Sequence, residues 1–207
     1  MDQKCFLGSL IMEDKITQLL SAHIESAILL ADQLSSLIVR AGARLTEALL
    51  ADGKVLLCAH GRSYANGLHF LYAMLNRYEV ERPALPVLML GMHPHILHVL
   101  LKERHDDQVF SREIQAFGSS QDVLLILSTT ANAPSLVQAL HVAKEKGIDS
   151  IVICGETEGV LAHYLGPSDC LIQLPSSSPL RILELQLVAM HAICTIIDTT
   201  LFGEVKA

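Results

Sequence analysis

The feature that most narrows the possible folds is an alternation along the chain. Five short apolar runs, at Val55–Ala59, Pro86–Leu90, Asp122–Leu127, Ser150–Cys154 and Cys170–Leu174, are separated by stretches of helical period. Most of these runs are continuous in Val, Leu, Ile and Cys, not alternately apolar and polar. A strand of that kind is covered on both faces, the situation of a parallel sheet flanked by helices. The intervening helical segments read at about 64–78, 94–103, 109–117, 134–146, 158–165 and 179–200. Strands alternating with helices predict right-handed crossovers and an α/β fold, a doubly wound five-stranded parallel sheet.

Ahead of the first strand lies a helical arm. Leu19, Leu20, Ile24, Ala27, Ile28 and Ala31 recur at three- and four-residue steps, followed by Leu34, Ile38, Leu45 and Leu49. A break near Asp32–Ser36 predicts two helices within residues 12–51. Asp52-Gly53 predicts the stop, with glycine supplying the left-handed conformation past a helix end. Residues 1–11 read as an extension, either a disordered segment or an upstream start ahead of Met12.

Composition excludes several function classes. A formal net charge of −7 argues against a broad nucleic-acid surface, which needs clustered Lys and Arg to engage phosphates. No apolar run reaches the roughly 18 residues of a membrane span, and MDQKCFLGSLIM lacks the basic start and cleavage site of an export signal. A cytoplasmic protein is expected. Its five cysteines (5, 58, 154, 170 and 194) show no CxxC spacing. They read as buried small hydrophobes in a reducing compartment, without structural zinc.

Ligands of an open parallel sheet bind at the carboxyl ends of its strands. Two such ends are rich in small polar residues: Cys58-Ala59-His60-Gly61-Arg62-Ser63, and Leu127-Ser128-Thr129-Thr130-Ala131-Asn132-Ala133. Hydroxyls and free N–H groups at helix starts can cradle a phosphate, so Ser63, Ser128, Thr129, Thr130 and Asn132 are the candidate phosphate- or sugar-binding residues. The same residue types also favour plain helix capping, and spacing does not separate the two readings. His93, His95 and His98 lie in GMHPHILH without a nearby carboxylate or thiol, so solvated histidines are the simpler reading. Glu79, Glu81 and Arg82 read as ion-pair partners fixing a loop or a subunit contact.

The stretches GKVLLCAHGRSYANGLHF, NRYEVERPALP, DVLLILSTTAN, VAKEKGI and LRILELQLVAMH resemble the sugar isomerase (SIS) domain, and within it the phosphoheptose isomerase group. The resemblance runs from about Met12 to Phe202. It implies that residues 12–51 are helices used in oligomerisation, that 52–207 form the SIS domain, and that the chain assembles as a homotetramer. Active members of the group hold zinc through a His and a Glu four apart on one helix and a Gln and a His eight apart on the last. Carried onto this chain, the two histidines are His69 and His191, while the Glu position is Ala73 and the Gln position is Leu183. Two of four ligands are lost, and catalytic zinc needs about three. Neither catalytic residues, a metal site nor a cofactor is therefore expected, with His69 and His191 as remnants and His60 as a conceivable third nitrogen. The loops also depart from the group: Ala131 stands for a Gly, Ala133 for a Ser, Arg62 for a small residue and Lys102-Glu103 for an Asn-Asp pair.

The end of the last helix, Ile196-Ile197-Asp198-Thr199-Thr200-Leu201-Phe202, resembles the DnaA initiator-associating branch of the family. That branch also lacks the isomerase Glu, and it uses a Leu-Phe pair here to contact the replication initiator DnaA. The resemblance implies partner contact through Leu201 and Phe202, with DnaA and other copies of the chain as partners and no direct contact with DNA or membrane. Two alternatives stay open. One is a zinc-dependent phosphoheptose isomerase converting sedoheptulose 7-phosphate to D-glycero-D-manno-heptose 7-phosphate. The other is a non-catalytic sugar-phosphate sensor.

Overall fold

The structure, a computed structural model, describes the backbone of residues 3–155 and 159–203 and side chains from Met12 onward. Met1, the Cys5 side chain and residues 204–207 lie outside the described residues. Five parallel strands form one sheet: β1 (Val55–Ala59), β2 (Val87–Met89), β3 (Val123–Leu127), β4 (Asp149–Gly155) and β5 (Cys170–Leu174), in the order β2-β1-β3-β4-β5. The predicted strands match to within a residue at each end. Every residue of β1 and β3 is buried, as uninterrupted apolar runs require.

The helices are α1 (Gln3–Leu50), α2 (Tyr64–Leu75), α3 (Pro94–Lys102), α4 (Ser111–Phe117), α5 (Pro134–Glu145) and α6 (Pro179–Phe202). Alternate strand residues feed two separate cores. Val55, Leu57, Leu125 and Ile153 face α1, α2 and α6. Leu56, Leu124, Ile126 and Val152 face α4, α5 and a short 3-10 helix at Val160–Tyr164. Strand order reverses at β1, which leaves a crevice outside the carboxyl ends of β1 and β3.

Two expectations about the arm are corrected. α1 is one helix through Asp32–Ser36. No Gly or Pro interrupts that stretch, and the Ser35 hydroxyl donates to the Ala31 carbonyl at 2.5 Å, so it bonds along the helix without disrupting it. Its C-terminal half is tied down by Arg40, which donates to the Asp169 carbonyl at 2.7 Å, and by an Arg44–Asp149 ion pair. Gly42 permits close approach of α6, because a Cβ there would sit 2.8 Å from Ile196. At the helix stop the left-handed residue is Asp52 (φ 59°), not Gly53; a short polar side chain tolerates that region. Gly53 is required for space, since its Cβ would meet the Gln121 carbonyl at 2.2 Å.

Over Met12–Leu50, α1 reaches the length and mean hydropathy of a membrane span, and so does α6, contrary to the expectation that no stretch would. Core packing accounts for α6, whose Ile182, Leu185, Ala189, Met190, Ile193 and Ile197 are buried. In α1, Ile16, Leu20, Ile24 and Ile28 remain more than half exposed. Four cysteines, at 58, 154, 170 and 194, are free and buried. Burial raises the Cys154 thiol to about 11 and, with Asp198 adding to it, the Cys194 thiol to about 12, so both behave as hydrophobes.

At the amino-terminal edge of the sheet, Asp122 joins three segments. Its carboxylate accepts from Lys54 Nζ at 2.7 Å, Lys54 N at 3.0 Å and Ser119 N at 2.8 Å. Burial alone would raise its pKa, but these donors outweigh it and hold it below 3.8. Stabilisation from a depressed carboxyl is present above its unfolded pKa and is lost as pH falls through the folded one. Asp122→Asn is expected to lose about 2 kcal/mol at pH 7. In urea melts the gap to wild type should close as pH drops below about 4.

Candidate functional site

The crevice at the carboxyl ends of β1 and β3 is built by backbone hydrogen bonds that carry the sheet into its loops. His60 N donates to the Leu127 carbonyl at 2.9 Å and Ser128 N to the Ile153 carbonyl at 3.1 Å. After β1 the chain makes a 3-10 turn at Gly61–Ser63, with Gly61 at φ 58°, and enters α2. Ser63 is fully buried there, and its Oγ has no hydrogen-bond partner. A buried hydroxyl left unpaired costs about 1–3 kcal/mol. The N–H groups beside it are already used, Ser63 N on the His60 carbonyl at 3.2 Å and Tyr64 N on the Gly61 carbonyl, so the hydroxyl is the unpaired group of this turn.

The second loop is largely occupied by its own bonds. Ser128 Oγ accepts from Thr130 N at 3.2 Å, and Asn132 Oδ1 accepts from Val160 N at 3.0 Å. Asn132 therefore pins this loop to the β4–β5 crossover. Gly159 fits against Ala131 only because it has no Cβ, which would lie 2.2 Å from the Ala131 methyl. Thr129 is half-buried and Thr130 exposed. Of the five candidate residues, Ser63 is the one with a buried free hydroxyl, while Ser128 and Asn132 hold the loop in shape. Arg62 is exposed and has no ion pair among the described residues.

Gln186 was not anticipated from the sequence. Fully buried on α6, its Nε2 donates to the Ser128 carbonyl at 2.8 Å and the Ile153 carbonyl at 3.1 Å. Its Oε1 accepts from Asn66 Nδ2 at 3.3 Å, and Asn66 also donates to the Leu183 carbonyl at 2.9 Å. This amide pair ties the ends of β3 and β4 to α2 and α6. The available signal was a lone amide inside the apolar run of α6.

Beside the crevice, on the α4–α5 face, lies a cleft of about 240 Å³ lined by His60, Leu101, Asp106, Asp107, Phe110 and Ser135. Burial lowers the His60 pKa, favouring the neutral ring. With two carboxylates, Asp106 and Asp107, on its wall, the cleft disfavours an anion.

The remnant histidines do meet. His69 Nε2 lies 2.8 Å from His191 Nε2, and the Tyr78 ring packs against His191 with centroids 5.5 Å apart. Burial, then the neighbouring His69, lower the His191 pKa. Ala73 is buried and brings no donor atom, and Leu183 contributes only its carbonyl, which is bonded to Asn66. His60 lines the separate cleft. No group of three or more His, Cys, Asp or Glu side chains able to hold a metal occurs among the described residues. The donor set does not fit the zinc that the isomerase group uses, since two imidazoles bonded to each other leave it short of ligands. His93, His95 and His98 are all exposed and form no such cluster either.

At the far end of α6, Leu201 is half-buried against the α1–α2–α6 core, whereas Phe202 is 44% exposed. Beneath Phe202 lies Arg82, paired with Asp198 at 2.8 Å. Glu81 pairs instead with Arg77 at the surface.

Comparisons with known proteins bear on the fold and the family. The chain is 37% identical to a phosphoheptose isomerase of Halorhodospira halophila over 190 residues, covering 92% of this chain and 96% of the relative. To the DnaA initiator-associating protein DiaA of Escherichia coli it is 35% identical over 191 residues, covering 92% and 97%. The solved phosphoheptose isomerase of Francisella tularensis superposes with a TM-score of 0.86 at 28% identity, covering 91% of this chain and 98% of that one. Residues 17–155 match the SIS domain family. On that match and on relatives that align along nearly its whole length, the chain belongs to the SIS domain family.

Proposed function

We propose that this protein is a non-catalytic SIS-domain scaffold that binds DnaA and promotes its assembly at the replication origin. The observation that carries the reading is the state of the isomerase positions. Ala73 and Leu183 supply neither carboxylate nor amide, and His69 and His191 bond to each other. Proton transfer between neighbouring sugar carbons needs a positioned base and a polarising group, and this arrangement has neither. Similarity to DiaA along 92% of the chain, with Leu201-Phe202 at the exit of α6, supports DnaA as the partner.

The protein acts in the cytoplasm as a homotetramer. Ile16, Leu20, Ile24 and Ile28 form an exposed apolar line at four-residue steps along α1, which suits packing against further copies. A tetramer presents several Phe202 rings, and linked sites raise the effective concentration for each later DnaA molecule. The net charge of −7 leaves DNA contact to DnaA. A sugar-phosphate-sensing role is a second reading, favoured by the unpartnered Ser63 hydroxyl.

The test is one tetramer preparation carried through three assays. Capture of DnaA, substoichiometric zinc by elemental analysis and no turnover of sedoheptulose 7-phosphate are expected. Stoichiometric zinc with turnover would establish the isomerase instead. A rise in melting temperature with sedoheptulose 7-phosphate, without turnover, would add the sensing role, because a ligand that binds only the native state stabilises it.

A further inference from the structure

Among the described residues, the last turn of α6 contains no basic residue, and Gly203 (φ 90°) donates its N–H to the Thr199 carbonyl at 3.0 Å. Helix ends with unpaired carbonyls fray. This end nevertheless carries Phe202, the exposed half of the proposed partner contact.

Arg82 lies underneath, its side chain 1% exposed. Its Nε donates to Asp198 Oδ1 at 2.8 Å, Nη2 to the Ala73 carbonyl at 2.6 Å, and Nη1 to the Met74 and Pro83 carbonyls at 2.9 and 3.1 Å. One guanidinium thus joins the C-terminal carbonyls of α2 to α6, and its charge suits the negative ends of both helices. Asp198 and Phe202 are four residues apart and share a helix face. The Phe202 ring centroid is 6.0 Å from the Arg82 Cζ, at the outer reach of a cation–π contact. The floor under the ring is planar, buried and bonded through all three guanidinium nitrogens.

We infer that Arg82 is a positioning residue for partner binding: it holds the last turn of α6 and the Phe202 ring in a preformed docking edge. The inference rests on the reading of Phe202 as a DnaA contact. An exposed aromatic ring already ordered before binding loses less side-chain freedom when the partner arrives.

Two measurements on the full-length tetramer test it. The first is amide hydrogen exchange in wild type, in Arg82→Gln and in a double variant, Arg82→Met with Asp198→Leu. The double variant replaces the buried pair by apolar side chains and should keep the fold. Protection at Thr199–Gly203 is expected to fall about tenfold or more in both variants, the tail fraying while the core stays closed. The second measurement is a double-mutant cycle on DnaA affinity. Arg82→Gln is expected to weaken binding about three- to tenfold, with no further loss in a Phe202→Ala background. If Arg82→Gln does not fold, the double variant takes its place in the cycle. Unchanged protection in both variants overturns the inference, as does a loss of affinity that persists undiminished without Phe202. Should Phe202→Ala bind DnaA like wild type, the partner reading fails, and the exchange result alone decides whether Arg82 orders the helix end.

Discussion

Phe202→Ala is expected to weaken DnaA binding at least about thirtyfold, and Leu201→Ala with Phe202→Ala to abolish measurable capture, the loss typical of an aromatic at the centre of an interface. The two side chains should separate in stability. Phe202 is 44% exposed and lies over Arg82 at 6.0 Å, the outer reach of a cation–π contact, so its removal costs about 1 kcal/mol or less. Leu201 is half-buried against the core, so Leu201→Ala costs about 1–2 kcal/mol by leaving a partial cavity. Phe202→Ala is therefore the cleaner probe. Calorimetric titration of the protein with DnaA, alongside urea melts of each variant, reads both quantities. DnaA affinity unchanged in Phe202→Ala would remove the Leu-Phe contact from the proposal.

Gln186→Leu is expected to lower the unfolding free energy by about 2–3 kcal/mol. The Ser128 carbonyl would lose its Gln186 donor, the Ile153 carbonyl would keep only Ser128 N, and Asn66 would keep only the Leu183 carbonyl. A buried carbonyl without a partner incurs its full desolvation penalty. In a domain of this size the melting temperature should drop about 5–10 °C. Gln186→Glu should be worse at neutral pH, because a buried carboxylate would face two carbonyl oxygens in place of an N–H donor. A Gln186→Leu melt within 1–2 °C of wild type (about half a kcal/mol) would mean that the strand ends are held by other contacts.

Much of the architecture was legible because it depends on local pattern. A strand covered by helices on both sides must be apolar at every position, so its limits are visible as a run. That is why Val55–Ala59 is legible to the residue, whereas Cys170–Leu174, at the sheet edge with Gln173 exposed, is legible from its four apolar residues. Where two local rules compete, the pattern misled. Asp32–Ser36 looks like a breaker by composition, yet its serine bonds within the helix. Asp52-Gly53 looks like a glycine turn, yet packing against Gln121 assigns the glycine to space and the left-handed backbone to the aspartate.

The site divides in the same way. Losses are local, so Ala73 and Leu183 could be read as absent ligands once the family pattern was aligned to them. Partnerships are not local. Gln186 and Ser128 are 58 residues apart, and Arg82 and Asp198 are 116 apart; no periodicity links such pairs. By itself the sequence determined the five-stranded parallel sheet and its family, and the family resemblance placed Ala73 and Leu183 where isomerase donors are expected. Tertiary structure alone decided that His69 and His191 bond to each other, that Ser63 keeps a free hydroxyl, and that Phe202 rests on a buried arginine. Each of those depends on which surfaces meet when α2 and α6 pack over one face of the sheet, and chain-local chemistry does not specify that.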